Sequence, residues 1–167
     1  MTTAPQKNDK IKGFIYMAGL LEKQRLNGNE QAFYDQLMDL VRSACRPNET
    51  GPGMAFETTE GQYTNPREGA RRLEIMVEQI ADRNCRFVLA LLDFAGPTAG
   101  MALMHAARME RPVLRIMSVK ARGLDAIFGL SPRAKTVIFD PEQTGWEEKL
   151  VRDIQSATEE LGKHFRG

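Results

Sequence analysis

The chain has 167 residues, of which 42% are hydrophobic and 27% charged, as in ordinary globular proteins of one domain. Lysine and arginine number 23 against 22 acidic residues, so the formal charge of +1 gives no electrostatic reason to expect nucleic acid or a membrane as partner. Two distant cysteines and two histidines argue against a metal site and indicate reduced thiols in the cytoplasm. No apolar run approaches the roughly 20 residues that span a bilayer.

The first half of the chain alternates apolar and amphipathic segments. We expect a disordered tail over residues 1–11 and a single domain over 12–167. GFIYMAG (13–19) is typical of a buried strand, and Asn29 is the expected cap of the helix that follows. Pro and Gly in 46–53 end that helix, and residues 54–65 suit a brief edge strand within a loop. The helix stripe consists of Phe33, Leu37, Leu40, Val41 and Ala44.

The second half continues the alternation. Asn65-Pro66 begins a helix whose apolar stripe is Leu73, Met76, Val77, Ile80 and Ala81. FVLALLD (87–93) predicts a central strand, and a glycine-rich loop at 96–101 leads into the next helix. Strands are predicted at 113–117 and 136–140, with a short helix over 123–130 between them. The last amphipathic helix carries Trp146, Leu150, Ile154, Ala157 and Leu161.

Strands that alternate with helices indicate a single-domain, three-layer α/β/α sandwich with a four- or five-stranded, mostly parallel sheet of the flavodoxin or Rossmann-like kind. In such sheets a ligand binds at the carboxyl ends of the strands, beside the point where the strand order reverses. Three segments are expected to meet there: 16–20, 93–101 and 117–120. Ser118, in the last of them, is a candidate ligand-binding residue.

The loop GPTAGM (96–101) has two interpretations. Gly96 and Gly100 permit close approach of the backbone to a ligand, and Thr98 offers a hydroxyl beside a helix N-terminus that favours an anion. The same residues also suit a capped turn between strand and helix. Asp93, at the end of its strand, either orients a ligand or caps that turn. Neither a G-x-x-x-x-G-K-[ST] nor a G-x-G-x-x-G sequence occurs, and we expect no cofactor.

Several segments, taken together, resemble the nucleoside 2-deoxyribosyltransferase-like superfamily, most of all its 2'-deoxynucleoside 5'-phosphate N-hydrolases. The resemblance runs from about residue 12 to 155. It is carried by IYMAG (15–19), the helix, strand and glycine-rich loop of 73–101, ARMERPV (107–113), and GLDAIFG ahead of TVIFDP. This resemblance implies a protein that acts on the bond between a deoxyribose and a base.

The resemblance also assigns the catalytic positions. In the family, a glutamate early in the third helix attacks the sugar and an aspartate of the preceding helix helps with protonation, as carboxylates do in glycosidases. The glutamate position falls on Ala102, or on Met101 if the loop alignment slips by one, and the aspartate position falls on Glu78. A side chain of hydrocarbon, or a thioether, cannot act as the nucleophile that the glutamate supplies.

The resemblance implies ligand contacts as well. Tyr16 and Gly19 match the opening turn that touches the nucleoside, and Gly96, Thr98 and Gly100 match the phosphate loop. A serine that reads the phosphate, contributed in some members by a partner subunit, falls on Asp125, whose charge would repel a phosphate.

Three hypotheses follow. The first is a nucleoside- or nucleotide-binding protein whose N-glycosidase centre is altered or lost. The second is an active N-glycosidase or deoxyribosyltransferase that uses relocated carboxylates, drawn from Glu78, Asp93, Glu57 or Glu60. The third is a non-catalytic subunit or scaffold whose third helix, rich in Ala and Met, forms an interface. A homodimer or larger homo-oligomer is expected, since family members of this kind associate.

Overall fold

Five parallel strands form one sheet in the order β2-β1-β3-β4-β5, with helices on both faces. The computed structural model describes residues 14–18, 26–45, 56–58, 66–124 and 133–163. The strands are β1 Phe14–Ala18, β2 Phe56–Thr58, β3 Cys85–Leu91, β4 Val113–Ser118 and β5 Ala134–Phe139. The helices are α1 Gly28–Cys45, α2 Pro66–Ala81, α3 Pro97–Arg108 and α4 Trp146–Lys163, with 3₁₀ turns at Leu92–Phe94 and Val119–Leu124. The predicted three-layer α/β fold is confirmed, and the sheet has five strands.

The sheet separates two apolar clusters because successive residues of a strand point to opposite faces. Ile15 and Met17 of β1 pack with α1 and α4, while Tyr16 and Ala18 pack with α2 and α3. β3 and β4 are buried almost throughout, as expected of parallel strands covered on both sides. The hydrophobic effect across these two layers therefore holds the fold together.

The predicted helix stripes agree with the packing at most positions. Leu37, Val41 and Ala44 of α1 and the stripe of α4 from Leu150 onward are buried, and Met76 and Ile80 of α2 face the sheet. Val77, which we assigned to the α2 stripe, is instead 41% exposed. It follows Met76 directly, so its side chain points about 100° away from that of Met76, and on α2 this direction is toward solvent.

Helix α1 begins earlier than the sequence led us to expect, and the cap is Asn27 rather than Asn29. The Asn27 Oδ1 accepts hydrogen bonds from the backbone N–H groups of Asn29 at 3.1 Å and Glu30 at 3.0 Å. In return, the Glu30 carboxylate accepts the Asn27 N–H at 2.9 Å. This reciprocal pair is a capping box, which satisfies three donors that the first helical turn leaves without intrahelical partners.

Two strands were predicted one or two residues too far toward the C-terminus. The central strand predicted at 87–93 is β3, which ends at Leu91, so Asp93 lies in the 3₁₀ turn that follows. The strand predicted at 136–140 is β5, which ends at Phe139 and leaves Asp140 outside. The strand predicted at 113–117 extends one residue further to Ser118. Of the short helix predicted at 123–130, the first two residues end the 3₁₀ turn and the rest lies outside the described residues.

The far end of α3 is closed by backbone bonds and by an arginine. Glu110, at a φ of 54°, donates to the carbonyl of Ala107 at 3.1 Å, and Arg111 donates to that of Ala106 at 2.8 Å. This pattern is a Schellman motif, in which glycine usually takes the position of Glu110. The Arg111 side chain then reaches the end of α2.

Within the described part of the chain, no helix is both long and apolar enough to cross a membrane.

Candidate functional site

The strand order reverses between β1 and β3, which places the expected ligand site at their carboxyl ends. β1 is followed in the chain by β2 on one side of it, whereas β3 is followed by β4 on the other side. The two connections therefore diverge, and at such a point of an open α/β sheet ligands generally bind above the strand ends. The 3₁₀ turn and the start of α3 border this edge, because both follow β3 directly. The residues immediately after β1, including Gly19, lie outside the described residues.

Asp93 and Ser118 join the ends of β3 and β4 at this edge. One carboxylate oxygen of Asp93 accepts the backbone N–H of Ser118 at 2.7 Å, and the other accepts the Ser118 hydroxyl. Ser118 is buried and Asp93 half-buried, so water competes little for these bonds. The structure thus brings together two of the predicted site residues, and it gives both oxygens of Asp93 a partner within the protein.

The segment that the sequence presented as a glycine-rich loop is mostly helix. α3 begins at Pro97 with Gly96 as its N-cap, so Thr98 and Gly100 lie in the first helical turn. Among the described residues, no heavy atom lies within 4 Å of the position that a Cβ would take at Gly96. Its φ of −101° is also open to any residue. Gly96 therefore gives the helix N-terminus no side-chain cap, and with the Ala99 N–H bonded to the Gly96 carbonyl the Thr98 N–H is the amide of that turn available to an anion.

Ala102 lies in the core, directly below this edge. Its side chain is 0% exposed and belongs to the same apolar cluster as Tyr16, Ala18 and Met117. Met101, the alternative position for the family's glutamate, is 47% exposed. The first turns of α3 therefore present hydrocarbon both to the core and to solvent.

The remaining predicted residues are spread over different environments. Tyr16 is fully buried in the middle of β1, beside Val88 of β3, and Glu78 is exposed on α2. Gly19, Glu60 and Asp125 lie outside the described residues, and of Glu57 only the backbone, in β2, is described. The ligand-binding roles of Tyr16 and Gly19 and the partner contact of Asp125 stay predictions.

One charged residue escaped the sequence reasoning. Arg115 lies in the middle of β4, beside Ala90 and Thr136, and is only 8% exposed. By alternation along the strand it points to the face of Val113 and Met117, which α2 and α3 cover. An arginine within the otherwise apolar run VLRIM is the sequence signal that could have identified this position. A buried charge is costly unless it is paired, so such a residue is unusual in a central strand.

The two thiols offer no nucleophile to this site. Burial raises the pKa of Cys45 to about 12, and it raises that of Cys85 to about 11 although the charge of Arg111 acts in the opposite direction. Both cysteines are free and buried. Since the thiolate is the reactive form, neither sulfur attacks a substrate near neutral pH.

Comparison with known proteins shows the fold. No family model matches the chain, and no curated protein matches it. A solved structure of the Clostridium botulinum CMP N-glycosidase BcmB is similar over 84% of this chain and 96% of its own, with a TM-score of 0.50 and 10% identity. A response regulator receiver protein from Sinorhizobium medicae covers 89% of this chain and 98% of its own, at 14% identity and a TM-score of 0.41.

The flavoenzyme FerB of Paracoccus denitrificans, an NAD(P)H:(acceptor) oxidoreductase, covers 92% of this chain and 97% of its own, at 13% identity and a TM-score of 0.44. The fold of this chain is shown by the similarity to BcmB. This chain therefore shares its three-layer α/β fold with a CMP N-glycosidase.

Proposed function

We propose that this chain binds a nucleoside or nucleotide at the carboxyl ends of β1 and β3, in a pocket whose N-glycosidase centre is altered or lost. Two findings support the proposal. The fold is shared with a CMP N-glycosidase, and the sequence resembles the deoxyribosyltransferase-like superfamily in the order and spacing of its segments. The expected site lies above the strand ends, at the point where this sheet order reverses.

The observation that carries the proposal is the burial of Ala102. In the resembled family this position holds the glutamate that attacks the sugar, and here a methyl group packs into an apolar cluster. An alkyl group can neither attack C1' nor stabilise the cation that develops there. Asp93 is the nearby carboxylate of the strand ends, and both of its oxygens already accept hydrogen bonds from Ser118. Asp93 thus positions β4 against the turn after β3, which favours binding over cleavage as the activity.

The N-terminus of α3 is the part of the site suited to a phosphate. Gly96 has no side chain with which to cap the helix, Pro97 has no N–H group, and the Ala99 N–H donates to the Gly96 carbonyl at 3.0 Å, so the donor that the first turn offers to a ligand is the Thr98 N–H. The aligned peptide dipoles add a partial positive charge at this end. We therefore expect a nucleoside monophosphate to bind more tightly than the corresponding nucleoside.

A titration tests this function. CMP, 2'-deoxycytidine 5'-monophosphate and cytidine are added separately to the protein, and binding is followed by calorimetry and by the shift in melting temperature. We expect saturable binding of a monophosphate and a weaker response to cytidine. If none of the three compounds binds or stabilises the protein, the proposal is wrong and the scaffold hypothesis takes its place.

A pair of variants locates the site. Gly96→Asp places a carboxylate where the phosphate would sit, and the same carboxylate can cap α3, so the fold is retained while affinity falls at least about ten-fold. Gly28→Asp is the matched control, because Gly28 lies at the start of α1 and a Cβ there also meets open space. Equal affinity of both variants for the monophosphate would place the ligand elsewhere.

We also propose that the protein is cytoplasmic and forms a homodimer or larger homo-oligomer. Free, buried thiols are compatible with a reducing compartment. Met101 and Met104 lie three residues apart on α3 and are 47% and 59% exposed, which leaves apolar surface on this helix for a second copy.

A further inference from the structure

A cavity lies at the carboxyl end of the edge strand β5, apart from the nucleotide site proposed at the ends of β1 and β3. It is enclosed by the end of β5, the turn that follows, the beginning of α4 and the residue after β4, and its volume is about 270 Å³. β4 separates β5 from β3 in the sheet, so this cavity and the proposed nucleotide site occupy different parts of the edge. The lining includes Val119, Phe139, Asp140, Trp146, Lys149 and Asp153.

Aromatic rings form one wall of this cavity and are held in place by the α1 layer. The rings of Phe139 and Trp146 are stacked, with centroids 5.4 Å apart and planes 23° apart. Phe33 of α1 packs against both, at centroid distances of 6.3 Å and 6.1 Å. The rings of Phe139 and Trp146, which line the cavity, offer an apolar surface to a flat or aliphatic group, because burying such a group releases water from both sides.

The polar part of the lining carries an excess of negative charge. Asp140, Lys149 and Asp153 are its charged members, and Lys149 forms an ion pair with Asp153 one turn further along α4. This pairing leaves the Asp140 carboxylate as the uncompensated charge of the lining. One Asp140 oxygen accepts the backbone N–H of Glu142 at 3.0 Å, and Glu142 is itself paired with Lys120 at 3.0 Å. The second Asp140 oxygen is not used by that bond.

We propose that this cavity binds a small organic ammonium, a protonated amine attached to a flat apolar group. The apolar group packs against the aromatic wall, while the ammonium takes a position near Asp140, where negative charge and aromatic rings both attract a cation. The volume is close to the lower end of the roughly 300–1,000 Å³ found for ligand pockets, so the ligand is a small one. An anion of the same shape is disfavoured by the excess charge.

The probe is phenethylammonium, and its binding can be read directly. Trp146 is the single tryptophan of the chain and lines the cavity, so the tryptophan fluorescence, excited selectively over that of tyrosine, reports on this site. We expect a saturable change with a dissociation constant in the millimolar range, as befits a ligand of this size. Phenylacetate has the same ring with the opposite charge and should bind several-fold more weakly. No saturable change with phenethylammonium, or equal binding of phenylacetate, overturns the proposal.

Two variants change the charge of the lining in opposite directions. Asp140→Asn keeps an oxygen for the Glu142 N–H and removes the charge, so affinity should fall roughly four-fold. Lys149→Gln removes the positive charge and leaves Asp153 unpaired, so affinity should rise by a similar factor. Asp82→Asn is the matched control, because the Asp82 carboxylate likewise accepts a backbone N–H two residues on, that of Asn84, in the turn that precedes β3.

The variants also separate this proposal from that of the nucleotide site. If Asp140→Asn or Lys149→Gln binds phenethylammonium with the same affinity as Asp82→Asn, the affinity does not depend on the charge of the lining. That result overturns the assignment of this cavity. Neither lining variant is expected to change the binding of a nucleoside monophosphate, since that ligand is proposed to bind at the start of α3. Loss of nucleotide binding in Gly96→Asp with phenethylammonium binding retained would show that the two sites are independent.

Discussion

At the scale of single residues, the contact between Asp93 and Ser118 is the most specific polar feature of the candidate site. Asp93→Asn removes a charge and turns an amide donor toward two donors of Ser118, so the free energy of unfolding should fall by about 2 kcal/mol. Urea denaturation measures this change. Asp39→Asn, in a surface pair with Arg42 at 3.8 Å, serves as the control and should change stability by less than about 0.5 kcal/mol. An Asp93→Asn protein as stable as the parent would contradict the role that we give to this contact.

Ala102 gives a second prediction at this scale. Ala102→Glu would bury an uncompensated carboxylate among apolar side chains, at a cost of about 3–5 kcal/mol. Ser156→Glu, at an exposed position of α4 away from the proposed interface, should stay within about 0.5 kcal/mol of the parent protein. Thermal and urea unfolding of both variants check the difference. A stable Ala102→Glu protein would mean that this position faces an open pocket, and a gain of base release by it would show an intact but disarmed active site.

The sequence could name residues of the site without giving their contacts. Asp93 and Ser118 were both identifiable because each follows or ends an apolar run. The carboxyl ends of parallel strands meet at one edge of the sheet, so both residues were expected there. Their hydrogen bonds depend on the register of β3 against β4, which local residue patterns do not encode. The cavity beside β5 could not be found in this way either, since it forms only when Trp146 of α4 packs onto Phe139.

At the scale of elements, Arg111 ties the connection after α3 to the end of α2. Its guanidinium donates to the carbonyls of Ile80 at 3.0 Å, Ala81 at 2.8 Å and Asp82 at 3.0 Å. These carbonyls are among the acceptors that the last turn of a helix leaves without partners, and a positive charge there also suits the helix dipole.

Arg111→Ala should therefore lower the free energy of unfolding by about 2 kcal/mol, with a matching loss of hydrogen-exchange protection near the end of α2. Arg111→Lys should recover only part of the loss, because an ammonium cannot reproduce the planar fork of a guanidinium. Arg108→Ala, at an exposed position of α3, is the control. Full stability of Arg111→Ala would rule out this role.

The existence of each helix was easier to predict than its ends. Pro66 marked the start of α2 correctly, because proline fits the first helical position. Asn27, Gly28 and Asn29 are all acceptable caps, and only the spacing of Asn27 and Glu30 identifies the capping box that was overlooked. Gly96 and Gly100 suggested a loop, yet Pro97 occupies the first helical position and the helix runs from there onward, with Gly96 as its N-cap.

At the scale of the whole molecule, the alternation of strands and helices was enough to predict the layers of the fold. The order of the strands was not predicted, because it depends on which strands pair and on the side to which each connection crosses. The right-handed rule for such connections limits the choices without selecting one. The reversal between β1 and β3, which positions the proposed site, therefore had to come from the structure.

The proposed homodimer belongs to this scale as well. Size-exclusion chromatography with light scattering should give at least twice the chain mass of about 19 kDa. Met104→Glu places a charge on the exposed apolar part of α3 and should shift the protein toward the monomer without unfolding it. Ser156→Glu, at an exposed position of α4, is the control and should leave the assembly unchanged. A parent protein that elutes as a monomer would contradict the proposal.

The loss of an attacking carboxylate at Ala102 is tested most directly by measuring free cytosine. The protein is incubated with CMP or 2'-deoxycytidine 5'-monophosphate at a concentration that saturates binding. The released cytosine is separated, quantified and compared with that of a protein-free sample. The account predicts a bound nucleotide and no cytosine above the protein-free rate. Release of cytosine by the protein, abolished in Glu78→Gln, would contradict it and would establish an N-glycosidase with relocated carboxylates.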